Sequence, residues 1–115
     1  MTDHIHHHDR DRLREEWRLK ALEWSAAEDM ASRLEEGRAT VLARLIMDFV
    51  DAGYPVSKAE KMARTEDEYT EYVDTMHNAR RVANDARIER DNADRLYWHH
   101  ATAEANQRAE MRLSK

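Results

Sequence analysis

The residues Ala52-Gly53-Tyr54-Pro55 contain the only proline of this 115-residue chain and one of its two glycines. Glycine can take the left-handed conformation that ends a helix, and proline removes an amide donor and restricts the residue before it. We therefore expect the one strong turn of the chain here. Because so few helix breakers occur elsewhere, the composition predicts an all-α fold built from helical hairpins.

Upstream of this turn, apolar residues recur at the three- and four-residue spacing of an amphipathic helix. We expect two helices, over residues 11–36 and 39–52. Gly37 is a weak break between them, since one glycine costs only about 1 kcal/mol inside a helix. The alternative is one helix that runs on through Gly37 or kinks there. Residues 41–50 are the most apolar part of the chain and predict its core. We expect them to pack against Trp17, Trp24, Tyr69, Tyr72 and Val73.

Downstream of the turn, two four-residue motifs have the form of a helix start. Ser57-Lys58-Ala59-Glu60 is a capping box and predicts a short helix over residues 57–64. Thr65-Glu66-Asp67-Glu68 has the same form, with three acids at the positive end of a helix dipole. No glycine or proline follows, so we expect one helix over residues 66–112, roughly 70 Å long at 1.5 Å per residue.

The predicted length of this last helix bears on assembly. A compact domain of this size has a diameter of roughly 35 Å, so we expect the helix to be covered by other copies of the chain. The sequence thus predicts a homo-oligomer, a coiled-coil-like or bundle assembly around an alanine-rich seam. Steps of three and four place eight residues at this expected oligomer interface: Tyr69, Tyr72, Met76, Ala79, Ala83, Ala86, Ala93 and Tyr97.

Composition limits the function classes. The formal charge is −5 and cysteine is absent, which argues against coating nucleic acid by bulk charge and excludes disulfides and thiolate metal sites. No apolar run approaches the roughly 18 residues that cross a bilayer, so we expect a cytoplasmic protein with no membrane partner. Residues 11–115 are expected to form a single helical domain.

Residues 1–10 are expected to form a flexible tail, because they contain four histidines and little to bury. These histidines could bind a divalent transition metal through imidazole nitrogens. A weakly chelating sequence without biological role, or the remnant of a purification tag, is the alternative. The candidate metal ligands are His4, His6, His7 and His8. We expect no cofactor elsewhere.

Catalytic motifs are lacking in the sequence. It contains no cysteine nucleophile, no glycine-flanked serine and no glycine-rich phosphate loop. Di-iron bundles need Glu-x-x-His motifs, and none occurs after residue 65. We therefore expect a protein that is not an enzyme.

A basic and aromatic group on the last helix is the candidate contact for a partner protein or for single-stranded nucleic acid. Trp98 falls one residue past the seam position Tyr97, so it needs either a second helix layer, such as Trp17 or Trp24, or an external partner. Interleaved acids favour the alternative of a solvated face held by ion pairs. The candidate contact residues are Arg80, Arg81, Arg87, Arg95, Trp98 and His99.

Several motifs follow one another in the second half of the chain: Ser57-x-Ala59-Glu60-x-x-Ala63-Arg64, Glu68-Tyr69, Ala79, Ala83, Ala86, Arg87 and Glu104-Ala105-x-x-Arg108-Ala109-Glu110-Met111-Arg112. In these motifs, residues 53–112 resemble small helical proteins encoded by tailed phages and prophages near recombination genes. The resemblance implies a phage origin and an accessory role in the bacterial host cytosol, and it assigns no catalytic residue. We expect a non-enzymatic protein that self-associates and binds another protein, either a recombination factor or a host defence component. The alternative is a single-strand nucleic-acid-binding accessory protein of recombination.

Overall fold

The computed structural model describes residues 7–114, with side chains described from Asp9 onward. These residues form three helices joined by turns, and no strand occurs among them. The helices are α1 (His7–Asp51), α2 (Val56–Arg64) and α3 (Asp67–Leu113). The predicted all-α fold with one very long C-terminal helix is confirmed.

The helices form two compact units. The turn unit is Ala26–Ala83, and the terminal unit joins the described chain up to Ser25 with the residues from Asn84 onward. Each unit therefore contains one part of α1 and one part of α3. The single domain expected over residues 11–115 stays a prediction.

The turn after α1 has the expected glycine cap. Gly53 has a φ of 103°, in the left-handed region. Its amide donates to the Val50 carbonyl at 3.0 Å, and the Tyr54 amide donates to the Phe49 carbonyl at 3.1 Å. These two bonds are the Schellman motif, which satisfies carbonyls at the end of a helix.

The capping boxes predicted at Ser57 and Thr65 do not form. Pro55 occupies the N-cap of α2 with an extended backbone, so the helix begins one residue before Ser57 and has no side-chain cap. The Thr65 hydroxyl donates to the Met62 carbonyl at 3.1 Å. It therefore closes α2 instead of starting α3.

The first helix is continuous, so the two helices predicted over 11–36 and 39–52 are one. It starts at His7, which places residues 7–10 in α1 and not in a tail; residues 1–6 lie outside the described residues. A β-carbon added at Gly37 would lie 2.6 Å from the Tyr72 hydroxyl oxygen. That hydroxyl donates to the Leu34 carbonyl at 2.7 Å. Gly37 therefore allows a side chain of α3 to reach the backbone of α1.

Residues 41–50 contribute to the core of the turn unit, as the sequence predicted. Leu45, Ala63 and Tyr69 are its buried members. Trp17 and Trp24 are not part of it, because they lie on a stretch of α1 that belongs to the terminal unit. The apolar side chains packed around the buried members are Val41, Leu42, Ile46, Phe49 and Val73.

The alanine-rich seam of α3 contacts α1 of the same chain. Arg38 donates to the Tyr69 hydroxyl in the turn unit, and Arg14 donates to the Tyr97 hydroxyl in the terminal unit. At 45 residues α1 is nearly as long as α3, and a role of the seam between copies stays a prediction. All eight seam residues are buried or half-buried in one chain: Tyr69, Tyr72, Met76, Ala79, Ala83, Ala86, Ala93 and Tyr97.

Leu45→Ala is expected to destabilise the fold by about 2 to 5 kcal/mol, because it leaves a cavity in the core of the turn unit. Leu45 is 6% exposed, whereas Met47, two residues along the same helix, is 55% exposed. Met47→Ala is the control and should change the free energy of unfolding by about 0.5 kcal/mol or less. Urea unfolding followed by circular dichroism measures both, and equal losses would contradict this placement of the core.

The effect of Gly37→Ala on the free energy of unfolding is expected to have opposite signs in two backgrounds. In the wild-type chain the new methyl group displaces the Tyr72 hydroxyl and breaks its bond to Leu34, so the variant should be less stable. In a Tyr72→Phe background no hydroxyl is present, and the substitution should stabilise by up to about 1 kcal/mol through helix propensity. A double-mutant cycle in urea gives the coupling energy. Additive effects would contradict the close approach.

Candidate interaction surface

Residues 95–99 of α3 form the most unusual surface of the terminal unit. Tyr97 alone among them faces α1 and is buried. Its ring stacks on Trp17 with centroids 6.0 Å apart, and its hydroxyl accepts a hydrogen bond from Arg14 at 3.1 Å. This bond also raises the pKa of Arg14. Tyr97 thereby fixes the direction in which its neighbours point.

Leu96 and Trp98 lie on either side of Tyr97 and are both exposed. Leu96 is 57% exposed and Trp98 is 58% exposed. Successive residues of an α-helix are rotated by about 100°, so these two side chains leave the helix on opposite sides of the buried tyrosine. The terminal unit therefore has two distinct apolar surfaces.

The first surface is centred on Trp98 and is called the Trp98 surface below. The indole ring meets the Tyr97 ring edge-on, with centroids 5.3 Å apart. Trp17 and Trp24, the two rings proposed as its partners in a helix layer, instead contact Tyr97 and Arg90. The other residues that line the recess beside Trp98 are Asp91, Asp94, Arg95, His99 and Thr102.

The second surface is a groove between α1 and α3, called the leucine groove below. Leu19 of α1 and Leu96 of α3 supply its large apolar side chains. The sequence analysis did not find this groove, because Leu19 falls off the main apolar stripe of its helix. The remaining lining residues are Glu16, Lys20, Glu23, Glu89, Asn92 and Ala93.

The candidate contact residues belong to two different units. Arg80 and Arg81 lie in the turn unit, whereas Arg87, Arg95, Trp98 and His99 lie in the terminal unit. Only Arg95, Trp98 and His99 are found lining one recess.

Arg80 is engaged inside the turn unit, and its role as a partner or phosphate contact stays a prediction. Its guanidinium binds the carboxylates of Glu28 and Glu35, each at 2.7 Å. The hydrogen bond from Arg80 lowers the pKa of Glu35, which remains ionised to lower pH than a free glutamate. Two carboxylates compensate the single positive charge and leave none for a phosphate. Arg81 is exposed and donates to Asn78 at 2.8 Å.

Arg90 is also engaged by its own chain. Its guanidinium carbon lies 4.2 Å from the centroid of the Trp24 ring, a cation–π contact. The same guanidinium binds Asp91 at 2.7 Å. Within the described part of the terminal unit, Arg95 has no comparable ion-pair partner.

A buried carboxylate lies further along α3, where Glu104 is 6% exposed. Arg10 of α1 and Arg108 of α3 approach it at 3.3 Å and 3.7 Å, and His100 lies at 3.9 Å. Burying a carboxylate requires compensating charge, and the two arginines supply it. This cluster joins the start of α1 to α3.

The predicted metal ligands lie outside what the structure describes. The side chains of His4, His6, His7 and His8 are not among the described ones, so metal binding by them remains a prediction. Among residues that are described, no group of three or more His, Cys, Asp or Glu side chains could hold a metal ion. In the same part of the chain, no helix combines the length and apolarity needed to cross a membrane.

Comparison of the chain with protein-family models, with curated proteins and with solved structures gave no match. The resemblance to phage proteins therefore stays a prediction. The Trp98 surface and the leucine groove of the terminal unit are the features that bear on function.

Tyr97→Ala and Trp98→Ala are expected to differ sharply in stability, although the residues are adjacent. Tyr97→Ala removes a buried ring and should cost about 3 to 5 kcal/mol. Trp98→Ala removes an exposed ring and one edge contact, and should cost about 1 kcal/mol. Thermal unfolding compares the two. A similar loss for both would show that Trp98 belongs to the core.

Proposed function

We propose that this chain is a non-enzymatic accessory protein that self-associates and acts by binding another protein through the Trp98 surface. The observation that carries the proposal is a tryptophan that is more than half exposed, beside an arginine that has no ion-pair partner among the residues that the structure describes. Tryptophan and arginine are enriched among the residues that dominate binding energy in interfaces. Exposure of such a large ring to water has no role in holding α1 to α3.

The ring of Trp98 is supported by contacts within the terminal unit, which favours binding. Tyr97 is held by its stack on Trp17 and by the Arg14 hydrogen bond, and Trp98 rests edge-on against Tyr97. A side chain that is already ordered loses little conformational entropy when a partner arrives. The contact energy of the indole is then available for affinity.

The charges of the recess favour a protein partner over nucleic acid. Asp91 and Asp94 lie in the same recess as Arg95. A phosphate backbone would be attracted by the arginine and repelled by both carboxylates. A protein surface can instead present an acidic group to Arg95 and a basic group to Asp94.

Self-association is supported by the thin core. In the described part of the chain, no large side chain is completely buried, and the fully buried residues are alanines. Alanine seams let helices approach closely but bury little apolar area. A second layer of helices would remove exposed leucines from water. In the context of a phage, the bound protein would be a recombination factor or a host defence component.

The test is affinity capture with the tagged chain from lysates of phage-infected bacteria, followed by mass spectrometry. We expect the wild-type chain and Leu22→Ala to retain the same protein. Leu22 is a matched control because it is 54% exposed and lies in the terminal unit, but it lines neither surface. Trp98→Ala should lose retention by about tenfold or more, as a central interface residue does.

Equal capture by the wild-type chain and Trp98→Ala would overturn the role of this surface. A second arm measures retention of a fluorescent single-stranded oligonucleotide at about 50 mM and about 200 mM salt. Tight retention that falls steeply with salt would replace the proposal with the nucleic-acid alternative.

A further inference from the structure

The leucine groove combines a protruding side chain, Leu96, with a recess on each side of it. Leu96 stands between two recesses of the terminal unit. The first, about 450 Å³, lies between Leu96 and Leu19 of α1. The second, about 420 Å³, lies on the other side of Leu96 and is lined by Asn92, Arg95 and His99. An exposed leucine flanked by two recesses can insert into a recess of another molecule. The recesses beside it can receive a side chain of that molecule in return.

The first recess carries a net negative charge. Its rim contains Glu16, Glu23 and Glu89 together with Lys20. Lys20 binds both Glu23 at 3.5 Å and Glu89 at 3.1 Å, so one cation is shared by two carboxylates. Glu16 is paired with Arg12 at 3.1 Å. One negative charge therefore remains uncompensated at this rim.

The second recess has the opposite character. Arg95 and His99 line it, and no carboxylate does. Arg95 has no ion-pair partner in the part of the chain that the structure describes, so its positive charge is available. The two charges lie on either side of one exposed leucine.

We propose that a second copy of this chain docks on the leucine groove. In a dimer with two-fold symmetry each surface faces an identical surface, so the acidic recess of one copy meets the basic recess of the other, twice. Leu96 of each copy enters a recess of the other copy, which removes its side chain from contact with water. The symmetry closes the contact, so the assembly ends at a dimer and does not grow into a filament.

The charge pattern favours a second copy over other occupants. Nucleic acid would bring its phosphates against the three carboxylates of the first recess. An unrelated protein would need its own matching pair of charges with an apolar ridge between them, and this chain already has that arrangement. Complementary potentials of this kind give specificity to an interface.

The inference rests on the self-association part of the proposed function and specifies its surface. Arg95 and His99 line both the second recess and the recess beside Trp98, whereas Trp98 lines only the latter. The dimer would therefore cover this arginine and this histidine and keep the two Trp98 rings exposed, and two exposed rings raise the avidity for a partner that also carries two sites.

The test compares two leucine variants of the full chain. Leu96→Glu places a charge in the leucine groove, and Leu22→Glu places the same charge at a site of similar exposure outside it. Circular dichroism checks that both remain folded. In sedimentation equilibrium we expect the wild-type chain and Leu22→Glu to be dimers. For Leu96→Glu the dimer dissociation constant should rise by about tenfold or more.

A second measurement uses the absence of cysteine from the chain. Leu96→Cys introduces a single thiol at the centre of the inferred contact. Under mild oxidation it should give a disulfide-linked dimer on a non-reducing gel, whereas Leu22→Cys at the same concentration should stay largely uncrosslinked. This pair keeps the inference testable even if Leu96→Glu unfolds.

The outcomes separate the inference from the proposed function. A wild-type chain that stays monomeric would overturn both self-association and this interface. A wild-type dimer with no effect of Leu96→Glu and no crosslink through Leu96→Cys would leave self-association intact and overturn the leucine groove. Equal dissociation by Leu96→Glu and Leu22→Glu, with equal crosslinking, would likewise overturn it.

Discussion

When two long helices pair, each can bury only the row of side chains that faces the other helix. The other features of this protein depend on that limit. Gly53 and Pro55 end α1 and Thr65 closes the short α2, so α1 and α3 extend for 45 and 47 residues. Much of the shared stripe is alanine, which contributes little apolar area. Specific polar contacts supplement it. Tyr72 reaches the Leu34 carbonyl and Arg80 binds Glu28 and Glu35, and these contacts fix the register of the helices in the turn unit.

Helical periodicity predicted which face of α3 is buried and did not predict what covers it. Tyr69, Met76, Ala83 and Tyr97 are buried where the seam placed them. The length of α3, compared with the diameter of a compact domain, predicted that the chain could not cover this helix, whereas α1 contacts it in both units. Helix propensity also predicted a weak break at Gly37, and α1 continues through it. Propensity describes a glycine in isolation, whereas its role here is set by Tyr72, 35 residues away. Such a contact cannot be inferred from local spacing.

The candidate site was also predictable only in part, because the sequence indicates positions on one helix but not the contacts between two helices. Trp98 and Arg95 were found because their helical positions lie off the seam, which depends on α3 alone. Arg80 has a similar position in sequence, but its charge is compensated by carboxylates on α1, which only the pairing of the two helices reveals. The leucine groove needs both helices as well. Leu19 and Leu96 become neighbours through antiparallel packing in the terminal unit and share no sequence pattern.

Tyr97 links the internal packing of the terminal unit to both of its exposed surfaces. Its stack on Trp17 and its bond from Arg14 set the rotation of α3 about its own axis at this level. A rotation of about 100° would bury one of its neighbours and move the tyrosine into solvent. Holding Tyr97 inward therefore keeps Leu96 and Trp98 outward together, on different sides. One buried aromatic contact thus maintains two binding surfaces. Substitutions at Leu96 and at Trp98 can alter self-association and partner binding separately, whereas a substitution at Arg95, which lines both recesses, would affect both.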